Sequence, residues 1–126
     1  MTKEIINTTN APAPIGPYSQ AVKAGNLLFV SGQVAIVPGS DKIITENITD
    51  ETTQVMKNLQ AILTEAGIGF DNVVKTSIFL SDMNLFADVN KVYGQYFTVN
   101  FPARETIAVK TLPKNVNVEI SMIASI

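Results

Sequence analysis

Residues 116–126 alternate strictly. Val116, Val118, Ile120, Met122, Ala124 and Ile126 fall on one face of an extended chain, and Asn117, Glu119, Ser121, Ile123 and Ser125 on the other. Upstream the period changes. Val55, Met56, Leu59, Ile62, Leu63 and Ala66 recur at steps of three or four, which predicts an amphipathic helix. Thr49 or Asp50 can cap its start, and Gly67 stands where a C′ glycine belongs. A second helix is expected over residues 84–98, with Leu85, Phe86, Val89, Val92, Tyr93, Tyr96 and Phe97 in one stripe ended by Phe101-Pro102. Strands are predicted over residues 3–7, 18–24, 27–34, 73–80 and 106–112, the second and third joined across Gly25-Asn26. Pro12, Pro14 and Pro17 keep residues 8–17 a loop, and Pro38-Gly39-Ser40-Asp41 marks another within 35–47.

The predicted order is β-β-β-α-β-α-β-β. Helices that come singly between strands indicate an α+β fold: one mixed sheet with two helices packed on one face, in a single domain over residues 1–126. The other sheet face then has no cover within the chain. Ile123 on that face points to burial against another copy, by trimer or dimer closure.

Composition narrows the chemistry. The chain is 46% hydrophobic and only 16% charged, which fits a surface partly covered by another subunit. Its net charge is −2, and its nine basic residues never form a run of three, which argues against a nucleic-acid partner. There is no Cys, His or Trp. Thiol nucleophiles, Ser-His-Asp triads, His/Cys zinc sites and disulfides are therefore ruled out within the chain. No apolar run approaches the roughly 18 residues of a membrane-spanning helix. The start, Met1-Thr2-Lys3-Glu4, is polar and charged without a signal-peptide pattern, so cytoplasm is the expected location. The glycines form neither phosphate-loop pattern.

Acid–base work then falls to carboxylates, Tyr, Lys or water, and anion binding to Arg, Lys or backbone N–H groups. Arg104 is the single Arg beside eight Lys. Its planar fork can grip a carboxylate at two points, as Lys cannot; the plainer reading is a surface or interface salt bridge. Glu119 lies on the more polar face of the last strand. Toward solvent it is an ordinary carboxylate; at an interface it is a buried one with a raised pKa, suited to proton handling. Tyr18, at the end of the first loop, either covers a small ligand or joins the core. Ser31-Gly32 interrupts an apolar strand, either to expose a backbone group or to relieve crowding. Asn90 sits at the margin of the second helix's stripe.

Taken together, these segments resemble the RidA/YjgF family nearly end to end. The resemblance is carried by Gly16-Pro17-Tyr18-Ser19-Gln20-Ala21, Phe29-Val30-Ser31-Gly32-Gln33, Val73-Val74-Lys75-Thr76 and Phe79-Leu80-Ser81-Asp82-Met83. Further on it is carried by Asn90 with Tyr93, Pro102-Ala103-Arg104, Leu112-Pro113 and Val118-Glu119-Ile120. Each piece is weak alone; their order and spacing are specific.

The resemblance implies a chorismate-mutase-like fold, a homotrimer with sites between subunits, no cofactor and no metal. It implies hydrolysis of 2-iminopropanoate, 2-iminobutanoate and related enamines to 2-keto acids and ammonia. By the same resemblance Arg104 matches the carboxylate-binding arginine, and Glu119 the carboxylate that holds or activates water. Tyr18, Ser31, Gly32 and Asn90 match positions lining the pocket. Thr106 joins them as a substrate contact where many members carry Cys, and Ser121 stands where a second Glu is common. The alternative is a non-catalytic module that binds a small carboxylate for regulation. A ribonuclease reading fits poorly with a chain that has no His and little basic surface.

Overall fold

Gly25, at φ +61, takes the first position of a two-residue turn between β2 (Ala21–Ala24) and β3 (Leu27–Gln33), as the predicted hairpin requires. The computed structural model describes residues 2–126; Met1, the first residue of the expected domain, lies outside them. β1 (Lys3–Ile6) pairs with β2, and β3 pairs with β6 (Val118–Ser125). β6 pairs on its other side with β4 (Val73–Leu80), and β4 carries β5 (Ala103–Ala108) at the edge. The sheet order is β1-β2-β3-β6-β4-β5, with β4 and β5 parallel and every other pair antiparallel.

Helices α1 (Ile48–Glu65) and α2 (Phe86–Tyr93) cover one face of this sheet. Leu28, Val30, Ile78, Leu80, Val118, Ile120 and Met122 from the strands meet Val55, Met56, Leu59, Ile62, Leu63 and Val89 from the helices, all of them buried. Each such side chain contributes roughly 1.5–3 kcal/mol of apolar burial. The predicted class, one mixed sheet with two helices on one face, is the class observed.

Several boundaries differ from expectation for local reasons. The cap of α1 is Asn47, not Thr49 or Asp50: its side chain accepts the Asp50 N–H at 2.8 Å, leaving Asp50 in the first turn where an acid favours the helix dipole. Gly67 does end this helix, at φ +79, with its N–H on Thr64 and that of Ile68 on Leu63. The second helix is shorter than 84–98, because its α-helical turns give way to single 3₁₀ turns at Met83–Leu85 and Gly94–Tyr96. β2 begins at Ala21 rather than 18, because the buried Gln20 amide binds the first loop instead of extending a strand. It accepts from Thr8 N at 2.7 Å and donates to the carbonyls of Thr8 and Pro12 at 3.0 and 2.9 Å. β5 spans Ala103–Ala108 rather than 106–112, since parallel pairing with β4 takes in Ala103 and Arg104. β6 begins at Val118 rather than 116, after a 3₁₀ turn over Pro113–Asn115.

Candidate active site

Strand register decides which candidate residues share a face. Arg104 is level with Thr76 on β4, and the Thr76 side chain is buried beneath the helices, where its Oγ1 lies 2.9 Å from Tyr93 Oη. Arg104 therefore leaves the edge strand on the helix side. Its guanidinium carbon stands 5.1 Å from the Tyr93 ring centre and 5.6 Å from that of Phe86. Such stacking suits a guanidinium better than an ammonium. Arg104 Nη1 donates to Asn90 Oδ1 at 2.7 Å, so the lone Arg has a held geometry. A cavity of about 550 Å³ opens beside it, walled by Asn90, Tyr93, Phe97, Phe101 and Pro102. Burial raises the Tyr93 phenol above its ordinary pKa, and the Thr76 hydrogen bond and the Arg104 charge offset part of that rise.

Glu119 is level with Phe79 on β4, three residues from Thr76, and so projects from the face that the helices leave uncovered. It shares a second cavity, of about 440 Å³, with Tyr18, Ser31, Gly32 and Lys114. Between Val30 and Gln33 the β3 strand takes one residue more than β6 opposite, so Ser31 and Gly32 form a bulge. The bulge lets the carboxylate lie against bare backbone: a Cβ on Gly32 would stand 2.6 Å from Glu119 Oε2. Half-burial raises the Glu119 pKa, with loss of solvation as the cause. Ser31 Oγ donates to the Ser19 carbonyl at 2.6 Å, tying the bulge to the loop that carries Tyr18. Tyr18 itself is exposed and its Oη accepts from Ile15 N, so of its two readings the core aromatic is not the one observed.

Of the sequence candidates, Tyr18, Ser31, Gly32 and Glu119 thus come together, and Arg104 comes together with Asn90. The two groups lie on opposite sheet faces, and no single chain unites them. Thr106 shares the helix-side face with Arg104 but lines neither cavity; its Oγ1 is buried without a hydrogen-bond partner among the described residues. Lys114 was not singled out from the sequence, and Tyr93 entered only within the second helix's stripe and beside Asn90 in the family resemblance, with no role assigned. Tyr93 reads there as a core aromatic and only the fold sets it under the guanidinium. Lys114, at φ 58, lines the Glu119 cavity, and no local pattern marks a lysine for the left-handed region.

The Endoribonuclease L-PSP family model matches residues 8–126. The chain belongs to the RidA/YjgF family. A RutC family protein of Pyrococcus horikoshii is 51% identical over 97% of both chains. The 2-iminobutanoate/2-iminopropanoate deaminase of Mus musculus is 46% identical, over 97% of this chain and 90% of its own. Among solved structures, YyfA of Yersinia pestis, a protein of unknown function in the conserved Rid family, superposes at a TM-score of 0.96. It is 44% identical and covers 99% of this chain and 100% of its own. RidA-family relatives thus share this sheet order and helix placement end to end.

Proposed function

We propose that this protein is a deaminase of reactive 2-imino and enamine acids, releasing 2-keto acids and ammonia at a site formed by two copies of the chain. The observation that carries the reading is the disposition of Arg104 and Glu119. One is a stacked, hydrogen-bonded arginine fork open to a cavity; the other is a half-buried carboxylate with a raised pKa in a second cavity. The deaminase relative in mouse supports the reaction class.

The chemistry follows from these parts. Arg104 holds the substrate carboxylate by charge-assisted hydrogen bonds, each worth on the order of 1.5–3 kcal/mol. Protonation of an enamine carbon gives the imine, an electrophile at C2. Glu119 accepts a proton from water as the water oxygen bonds to C2 and passes it to nitrogen, which gives a carbinolamine; Glu119 then takes the proton of the new hydroxyl and delivers it to nitrogen as the C2=O bond forms and the C2–N bond breaks, and ammonia and the 2-keto acid leave. A carboxyl whose pKa sits above the ordinary range exchanges protons more readily near neutrality. Tyr18, Ser31 and Gly32, which line the Glu119 cavity, complete the binding set.

A second copy supplies the missing half. Phe29 and Ile107, 43% and 47% exposed, lie on the uncovered face with Glu119, an apolar surface suited to burial by an identical chain. A homotrimer closes that face.

Mixing distinguishes shared from single-chain sites. Arg104→Ala and Glu119→Gln proteins are each expected to be inactive on imine generated by a serine or threonine dehydratase and trapped with semicarbazide. Unfolded and refolded together, they restore about a quarter of wild-type activity at random 1:1 assembly, because that share of interfaces pairs an intact Arg104 with an intact Glu119. Activity retained by folded Arg104→Ala removes the proposal. Keto-acid binding with no effect on imine decay in wild type favours the regulatory carboxylate-binding module instead.

A further inference from the structure

One buried ionisable group takes no part in either cavity. Glu51, in the first turn of α1, is 0% exposed and pairs with no cation among the described residues. Its acceptors are nevertheless filled, all from the start of β6. Oε2 accepts Asn117 N at 2.8 Å and Val118 N at 3.3 Å, and Oε1 accepts Asn117 Nδ2 at 2.8 Å. Asn117 is in turn bound to the end of β4: Ser81 Oγ donates to its Oδ1 at 3.1 Å, and Ser81 N to its carbonyl at 3.0 Å. A helix start, a strand start and a strand end therefore meet at one carboxylate.

Glu119 follows this junction directly. No N–H or O–H of the described residues bonds its carboxylate, so its placement depends on where the β6 backbone runs. That placement has little slack, because the side chain already lies against the Gly32 backbone. We propose that Glu51 is a positioning residue for Glu119: by accepting the N–H groups of Asn117 and Val118 it sets where β6 begins, and so where the Glu119 carboxylate stands in its cavity. The inference rests on the proposed role of Glu119 for its effect on turnover, but its structural part does not.

The physical requirement is an acceptor, not a charge. Glu51→Gln keeps one oxygen for the two backbone N–H groups. Its new NH₂ meets Asn117 Oδ1 once that amide flips, and Ser81 Oγ then accepts from Asn117 Nδ2. Glu51→Ala strands all three donors.

Two readouts test this on the full-length assembly: imine turnover, and the titration midpoint of Glu119 followed by carboxyl-carbon NMR. Glu51→Gln is expected to match wild type in both. Glu51→Ala is expected to lose about tenfold to a hundredfold in kcat at little-changed KM, as a displaced reacting group does, and to shift the Glu119 midpoint. If Glu51→Ala does not fold, Glu51→Asp, which withdraws the carboxylate by one methylene, carries the same expectation. A folded Ala or Asp variant with wild-type kcat and an unmoved Glu119 midpoint overturns the inference, as does a Gln variant that behaves like Ala. Should wild type turn over no imine, the proposed function falls, and the Glu119 titration alone decides the role of Glu51.

Discussion

Arg104 Nη1 donates to Asn90 Oδ1 at 2.7 Å, and this is the one hydrogen bond that holds the guanidinium among the described residues. The bond spans the edge strand and the second helix, and leaves Nη2 and Nε without a partner among the described residues. A carboxylate can therefore take the free side of the fork without displacing its support. Asn90→Ala removes the support and leaves the charge. The expected result is a KM higher by about 10- to 150-fold, the equivalent of one hydrogen bond to a charged group, with kcat within about threefold. A KM equal to wild type would show that stacking on Tyr93 and Phe86 positions the fork by itself.

Gly32 is the place where a single methyl group reaches the site. Its Cβ would stand 2.6 Å from Glu119 Oε2 and 2.9 Å from Cδ. The colliding atoms end a flexible side chain, so the fold can absorb the change while the carboxylate cannot stay where it is. Gly32→Ala is expected to fold and assemble with a loss of stability of about 1 kcal/mol or less and to lose at least about tenfold in kcat. Wild-type turnover in Gly32→Ala would mean that the position of Glu119 is not critical.

Glu119 makes stability depend on pH. Because burial raises its pKa, the folded protein binds this proton more tightly than the unfolded chain does. The stability so contributed is fully present below the unfolded pKa of about 4.3, and is lost as pH rises through the higher folded value. Glutamine does not ionise and escapes the loss. The Tm of Glu119→Gln relative to wild type should therefore increase between pH 4 and pH 8. The gain should be a few degrees at most, since half the side chain stays in solvent. Thermal melts across that range check it; a difference that shrinks with pH would mean that a cation from a second copy faces Glu119.

Thr106 offers a separate test, because its Oγ1 is buried without a partner. Thr106→Val keeps the shape and removes the stranded hydroxyl, and is expected to stabilise the protein by about 0.5–1.5 kcal/mol in denaturant titrations. Because Thr106 lines neither cavity, the KM should stay within about twofold of wild type. A KM raised severalfold would show that Thr106 contacts substrate once a second copy closes the site.

The sequence by itself determined the elements and most of the candidate residues. Periods of two and of three to four are imposed by strand and helix geometry, so the alternation of residues 116–126 and the stripe from Val55 to Ala66 survive in any fold that buries them. Cap and strand boundaries were less legible. Asn47, Gln20 and Ala103 act through hydrogen bonds to groups that only the folded chain brings near: the Asp50 N–H, the first loop, and the β4 edge. The lone Arg104 and mid-strand Glu119 stood out as chemistry on a chain with no His or Cys. Only the tertiary structure decided that they face opposite ways. That depends on the register of β5 and β6 against β4, where a shift of one residue turns every side chain to the other face. The same register gives Arg104 its place over Tyr93 and sets the Gly32 bulge under Glu119. Glu51, an ordinary acidic residue in a helix's first turn when read along the chain, becomes a buried junction because the start of β6 lies across that turn.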